Sequence, residues 1–143
     1  MKEIAPILPL TMLDENQIKQ LCINLILNAF QAMPDGGQLI IRCYSKPLTN
    51  RGLGIGSRTT DAFRVGETAL VCEIEDTGTG IPESLVPRVF NPFFTTKEPG
   101  EGVGLGLSIC KAIVDAHRGV IHLESEEGRG TKITVILPIT TER

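Results

Sequence analysis

Between Asp14 and Met33 apolar residues recur at helical spacing. Ile18, Leu21, Cys22, Leu25, Ala29 and Ala32 share one face, which predicts an amphipathic helix over residues 14–33. Asp14 supplies an N-cap, Gln17 three residues on completes a capping-box pattern, and Pro34 with the Asp35-Gly36-Gly37 turn ends the helix. The period then drops to two. Leu39, Ile41 and Cys43 oppose Arg42 and Tyr44 across residues 38–45, and Leu70, Cys72 and Ile74 oppose Glu73 and Glu75 across residues 69–76. By the same parity Asp76 points with the apolar set, and a carboxylate on the core side of a strand needs a reason. A second helix is expected from about Gly104 to His117, with Leu105, Ile109, Ala112, Ile113 and Ala116 as its stripe. Strands follow at 119–125 and 131–137, joined by a turn at Glu126-Glu127-Gly128-Arg129-Gly130. On the last of them Ile133, Val135 and Leu137 share a face with Thr131. Residues 1–13 are apolar with two prolines and read as a lead-in from a preceding domain, with one edge strand. Their abrupt start is what a piece of a longer protein would show. The order of elements predicts an α+β fold: a two-layer sandwich with helices on one face of a mixed, mostly antiparallel sheet.

Two stretches follow neither period. Residues 46–68 are rich in Gly, Arg and Thr and read as a flexible insertion; residues 89–103 carry the chain's aromatic cluster. Gly52, Gly54 and Gly56 alternate with apolar residues inside the first stretch, but no helix follows them, so they belong to a loop. The length, 143 residues, suits a single domain, and with aromatics at 4% and no Trp its core has to be aliphatic. A net charge of −3 excludes a basic nucleic-acid or membrane-surface protein. No apolar run approaches the ~18 residues of a membrane span, and no signal peptide opens the chain, so a cytoplasmic location is expected. Cys22, Cys43, Cys72 and Cys110 form no C-x-x-C pair and sit in apolar runs, which reads as reduced, buried, small hydrophobes rather than a metal cluster.

Three polar constellations could carry chemistry. Asn24, Asn28 and Gln31 share one helix face; an amide oxygen such as that of Asn28 suits a hard cation, although a plain solvated stripe would look the same. Asp76-Thr77-Gly78-Thr79-Gly80-Ile81 ends a strand on an inward carboxylate, which could accept from an exocyclic amine such as adenine N6; a strand-ending turn is the bland reading. Gly102-Val103-Gly104-Leu105-Gly106-Leu107 opens the second helix, where glycines and the helix N-terminus favour an anion such as phosphate. This last run is neither a dinucleotide fingerprint nor a Walker A loop, since no strand directly precedes it and no Lys-Ser/Thr follows. Phe90, Phe93 and Phe94 need cover, which a loop closing on a ligand would supply, and Lys97 would bring a positive charge to a phosphate.

Taken together and in order, NLILNAFQAMPDGG, DTGTGIP, FNPFFTTK, GVGLGLSI, DAHRGVIHLES and GRGT resemble the catalytic ATP-binding domain of bacterial sensor histidine kinases, in the Bergerat-fold superfamily with gyrase, Hsp90 and MutL. The resemblance runs from about Asp14 to Pro138 and implies ATP and Mg²⁺ as ligands. It implies that Asp76 accepts from adenine N6, that Gly78, Gly80 and Ile81 shape that pocket, and that Thr131 supports Asp76 through water. It implies that Asn28 holds Mg²⁺ with Asn24 near the phosphates, and that Gly102, Gly104, Leu105, Gly106 and Leu107 face the phosphates. Residues 89–103 are similar to an ATP lid, with Phe90, Phe93 and Phe94 as its hinge and packing residues, Phe90, Thr96 and Lys97 also on the ligand side, and Lys97 aimed at the γ-phosphate.

The chain departs from the family in Gln31, where Lys or Arg is common, in Val103, where Thr or Ser is usual, and in the long stretch 46–68. Asn24 stands where the hydrolase branches carry a Glu that activates water, and an amide cannot take that proton. The resemblance therefore implies a kinase whose acceptor His lies on a separate dimerisation and phosphoacceptor domain of a homodimeric parent, either cytoplasmic or membrane-anchored, with a response regulator downstream. His117 and His122 read as structural. A protein serine kinase of the anti-sigma-factor type, or an ATP-binding relic without kinase activity, are the alternatives.

Overall fold

In the computed structural model, residues 2–4, 14–47, 68–91 and 106–138 are described. They form strands β1 (Lys2–Ile4), β2 (Leu39–Pro47), β3 (Thr68–Asp76), β4 (Val120–Glu126) and β5 (Gly130–Pro138), and helices α1 (Glu15–Gln31) and α2 (Gly106–Ala116). The sheet order is β1-β2-β3-β5-β4, with β1 parallel to β2 at one edge and every other pairing antiparallel. The expected mixed, two-layer α+β architecture is present, and the lead-in contributes its edge strand. Most of the expected insertion, and residues 92–103 of the expected lid, lie outside the described residues.

One face of the sheet carries the helices. Leu21, Leu25 and Ala29 of α1 and Cys110, Ile113 and Val114 of α2 pack on Ile74, Leu123, Ile133, Val135 and Leu137, an aliphatic core. Strand parity is as expected: Leu39, Ile41, Leu70 and Cys72 pack against this core from the same face. The stripe of α2 is rotated from the expected one. Cys110, Ile113 and Val114 are buried, whereas Ile109, Ala112 and Ala116 are exposed. Alanine loses little by facing water, so its positions say little about which face turns inward. Cys22 likewise departs from expectation; it is exposed on α1, and Cys43 and Cys72 are only half-buried, so Cys110 alone is a buried thiol.

On the opposite face Glu73 is buried in a charge network. Tyr44 donates its hydroxyl to Glu73 Oε2 at 2.6 Å, and Arg42 and Lys132 lie 3.3 and 3.7 Å from Oε1. Against the burial that would raise it, Tyr44, Lys132 and Arg42 hold the Glu73 carboxyl below its ordinary value.

The two helices are tied at one end. Asp14 caps α1 by accepting from Gln17 N–H at 3.0 Å, but its own N–H goes to His117 Nε2 at 3.0 Å rather than back to the Gln17 side chain. The His117 Nδ1 lies 2.9 Å from the Ile113 carbonyl. Both bonds are satisfied only by the neutral ring with its hydrogen on Nδ1. Half of the capping box is thus made by a residue 103 positions away, and His117 is structural as expected. Arg118, which follows, adopts φ +62° where the chain leaves α2 for β4.

Candidate nucleotide site

Strand β3 ends on Asp76, which is 6% exposed. Its Oδ1 accepts from the Gly78 N–H at 2.8 Å, and the backbone N–H of Thr131 donates to the same carboxyl. Burial nevertheless pushes the carboxyl above its ordinary value, and neighbouring Glu75 adds to the rise. Glu73 is balanced by cations; Asp76 is served by neutral amides. A buried acid held this way at the mouth of a glycine loop has the chemistry of a group that reads a donor on a ligand.

Residues 77–81 are fixed on three sides. Thr77 exchanges bonds with Gln38, donating its N–H to the Gln38 carbonyl at 3.2 Å and accepting the Gln38 N–H on Oγ1 at 2.9 Å. Gly78 lies against the C-terminal end of α1, where a Cβ would overlap the Ala32 carbonyl, and Thr79 N–H donates to that carbonyl at 3.0 Å. Gly80 has φ +72°, and a Cβ on it would overlap the Glu126 carbonyl. The β4–β5 turn closes the third side through Gly128 N–H to the Thr79 carbonyl at 2.7 Å.

The residue that joins these parts is Ser125, which sequence reasoning did not single out. Its Oγ accepts from Ile81 N–H at 2.7 Å, donates to the Gly130 carbonyl at 3.0 Å and lies 2.8 Å from Thr131 Oγ1. One hydroxyl hydrogen cannot serve two acceptors, so Thr131 must donate to Ser125. That leaves Thr131 Oγ1 with lone pairs only, on a residue whose ladder partner is Asp76. Two acceptors side by side call for a donor between them, as a water or an amine provides. The available signal was parity: Ser125 pairs with Thr131 and shares a strand face with Leu123 and Ile121.

Helix α1 runs back from this corner past the start of α2, which it meets at Asn24. Asn24 and Asn28 are half-buried on it. The Asn24 amide donates to the Gly106 carbonyl over a long 3.5 Å and accepts from Gln20 Nε2 at 2.8 Å. Eight residues separate Ala32 from Asn24, a span of ~12 Å along the axis, with Asn28 midway. Among the described residues, none has an atom that a Cβ on Gly106 would meet at that helix start. Ile81, Phe90 and Leu107 are partly buried against the core. The structure therefore brings Asp76, Gly78, Gly80, Ile81 and Thr131 together at the C-terminal end of α1, and Asn24 and Gly106 at its middle, about two turns away. Thr96, Lys97, Gly102, Gly104 and Leu105, with Phe93, Phe94 and Val103, lie outside the described residues. Among the described residues no group of three or more His, Cys, Asp or Glu is placed to hold a metal ion, and no helix is long and apolar enough to cross a membrane. His122 Nε2 lies 3.6 Å from Glu124 Oε2 on β4.

This α+β sandwich is the fold of solved histidine kinase catalytic domains. The solved catalytic domain of histidine kinase ThkA superposes with a TM-score of 0.70 at 31% identity, over 97% of this chain and 78% of that one. Residues 13–141 match the family of histidine kinase-, DNA gyrase B-, and HSP90-like ATPases, and the chain belongs to it. It is 42% identical over 125 residues to the sensor kinase CckA of Brucella abortus and 39% identical over 125 residues to sporulation kinase A of Bacillus subtilis. Each match takes in 87% of this chain but only 13% and 17% of those proteins, so the chain spans less than a fifth of their length.

Proposed function

We propose that this chain binds Mg·ATP and presents its γ-phosphate to a histidine on a separate phosphoacceptor domain, as the catalytic ATP-binding domain of a two-component sensor histidine kinase. The observation that carries the reading is the buried Asp76 carboxyl, held by backbone amides and flanked by the acceptor oxygen of Thr131. Adenine offers an amine at N6 to exactly such acceptors. Gly78, Gly80 and Ile81 form the loop at this end, and Phe90 and Leu107 add apolar contact.

The middle of α1, facing the start of α2, suits a triphosphate. The amide oxygen of Asn28 is a hard donor of the type Mg²⁺ takes alongside phosphate oxygens and water. Among the described residues nothing crowds Gly106 at the helix start, and the run through Gly102, Gly104 and Leu105 would offer further backbone N–H groups. When bound, Mg²⁺ neutralises charge on the β- and γ-phosphates. Thr96 and Lys97 would act from the lid, Lys97 as a point charge at the γ-phosphate. Asn24, an amide bonded at both ends, holds no proton-accepting group where a hydrolase needs one, and the bound nucleotide waits for an outside nucleophile. The imidazole nitrogen of the acceptor forms the new P–N bond as the bond from Pγ to the bridging oxygen breaks and ADP leaves. The parent would then be a homodimeric cytoplasmic or membrane-anchored kinase that passes the phosphoryl group to a response regulator.

The test has two arms. Calorimetric titration with ATP and Mg²⁺ beside GTP should give binding for ATP alone; absence of binding to either overturns the nucleotide site. Incubation with γ-labelled ATP and a dimeric phosphoacceptor domain should give acid-labile phosphohistidine. Acid-stable phosphate on serine would instead favour a serine kinase.

A further inference from the structure

Two thiols face each other across β2 and β3. Cys43 and Cys72 are direct partners in the antiparallel ladder, and their sulfur atoms lie 3.2 Å apart. Both are free and half-buried, so small solutes can reach them. The nucleotide-site reading uses neither. The contact is also asymmetric. The hydrogen bond from Cys72 lowers the Cys43 thiol to about 7, while that same bond and burial hold Cys72 well above the ordinary thiol value. Near neutral pH this gives a thiolate directly opposite a thiol, the pairing that thiol oxidation requires.

We infer that Cys43 and Cys72 form an oxidisable dithiol, which hydrogen peroxide or an organic hydroperoxide converts into an intramolecular disulfide joining β2 to β3. With hydrogen peroxide the Cys43 thiolate attacks one oxygen and the O–O bond breaks. Cys43 becomes a sulfenic acid, and the released hydroxide takes a proton and leaves as water. The Cys72 sulfur then attacks the Cys43 sulfur, the S–O bond breaks, and the departing hydroxide carries off the Cys72 proton as a second water. In sum two thiols lose two hydrogens and one peroxide is reduced to two waters.

The geometry asks little movement. A disulfide bond is ~2.05 Å long, so the sulfurs close by about 1 Å from their present contact. Directly opposed antiparallel residues have Cα atoms roughly 4.5–5.5 Å apart, inside the range that disulfides span. The competing thiols are placed differently. Cys110 is buried, its thiol pushed up to about 12 by that burial, and it points at the Leu21 carbonyl. Cys22 is exposed on α1, and burial of its sulfur and the charge of Cys43 raise its thiol, so it is the alternative partner that an experiment must separate.

Trypsin separates all four. Cys22 falls in residues 20–42, Cys43 in 43–51 because Lys46 precedes Pro47, Cys72 in 65–88 and Cys110 in 98–111. The native chain is treated with a small excess of hydrogen peroxide, alkylated, digested and read by mass spectrometry. The expected result is a cross-link between 43–51 and 65–88 that dithiothreitol reverses, with Cys22 and Cys110 alkylated and the thiol count falling from four to two. In Cys72→Ser the sulfenic acid on Cys43 should persist long enough to be trapped by dimedone. Four alkylated cysteines after treatment, a Cys22–Cys43 link as abundant as Cys43–Cys72, or the same mixture of links from the urea-unfolded chain would each overturn the inference.

Discussion

Replacing Asp76 with Asn removes a charge and adds two hydrogens at a nearly buried position, and two measurements should move in opposite directions. The backbone N–H groups of Gly78 and Thr131 both seek oxygen. The Asn amide will turn its oxygen to them and its NH₂ outward, where adenine N6 is also a donor. Losing a hydrogen bond to a charged acceptor costs about 1.5–3 kcal/mol, and opposed donors favour the upper part of that range. The ATP dissociation constant should therefore rise about 30- to 150-fold. The free chain should gain stability instead. Because burial raises the folded carboxyl, the folded chain holds this proton more tightly than the unfolded one. The stability from that proton is full below the unfolded carboxyl value and is lost as pH rises through the folded value. At neutral pH the ionised Asp76 is a cost that Asn removes. Urea denaturation without nucleotide should show a higher midpoint for Asp76→Asn at pH 7, with the gain fading at acid pH, while calorimetry shows weakened ATP binding. An ATP affinity within about threefold of the unaltered chain, under 1 kcal/mol, would refute the adenine assignment. A stability loss would refute the electrostatic one.

Three further outcomes test the frame around that acid. Gly78→Ala drives a methyl into the Ala32 carbonyl and should cost about 1–3 kcal/mol in urea denaturation, together with nucleotide affinity; an unchanged midpoint would mean that the loop is not held against α1. Ser125→Ala strips the Ile81 N–H and the Thr131 hydroxyl of their shared partner and should cost about 1–3 kcal/mol, whereas a loss near zero in thermal unfolding would show that Ser125 joins nothing. Arg118→Gly relieves a left-handed residue and should stabilise the chain by about 1 kcal/mol in the same assay, with ATP binding unchanged; a lower melting temperature would count against backbone strain there.

What the sequence made legible was local. The Asp14 cap, the α1 face carrying Leu21, Leu25 and Ala29, and the alternation that turns Asp76 inward all follow from periods of a few residues, and all are present. What it hid depends on partners far along the chain. The stripe of α2 was misphased because Ala112 and Ala116 are apolar yet cheap to expose, while Cys110 and Val114 carry the packing. The 3₁₀ helix Glu83–Arg88 has no period long enough to read. His117 as a cap for α1, Ser125 as the junction of loop and hairpin, and Cys43 opposite Cys72 are facts of register and docking, which spacing along one strand or helix does not encode.

The imidazole bridge between the helices has a mechanical consequence. It clamps the C-terminal end of α2, and Cys110, Ile113 and Val114 anchor the middle of the helix in the core. At the other end the first turn includes a partly buried Leu107 packed on the core and the long contact from Asn24 to the Gly106 carbonyl. The buried anchor nearest the helix start is Cys110, so the lever arm is the first turn, ~6 Å long. A tilt of that turn by about ten degrees moves Gly106 by about 1 Å, as much as separates a hydrogen bond from a gap. Charge drawn to the helix tip can set its height at small cost to the core, while the buried turns and the imidazole hold the rest of the helix in place.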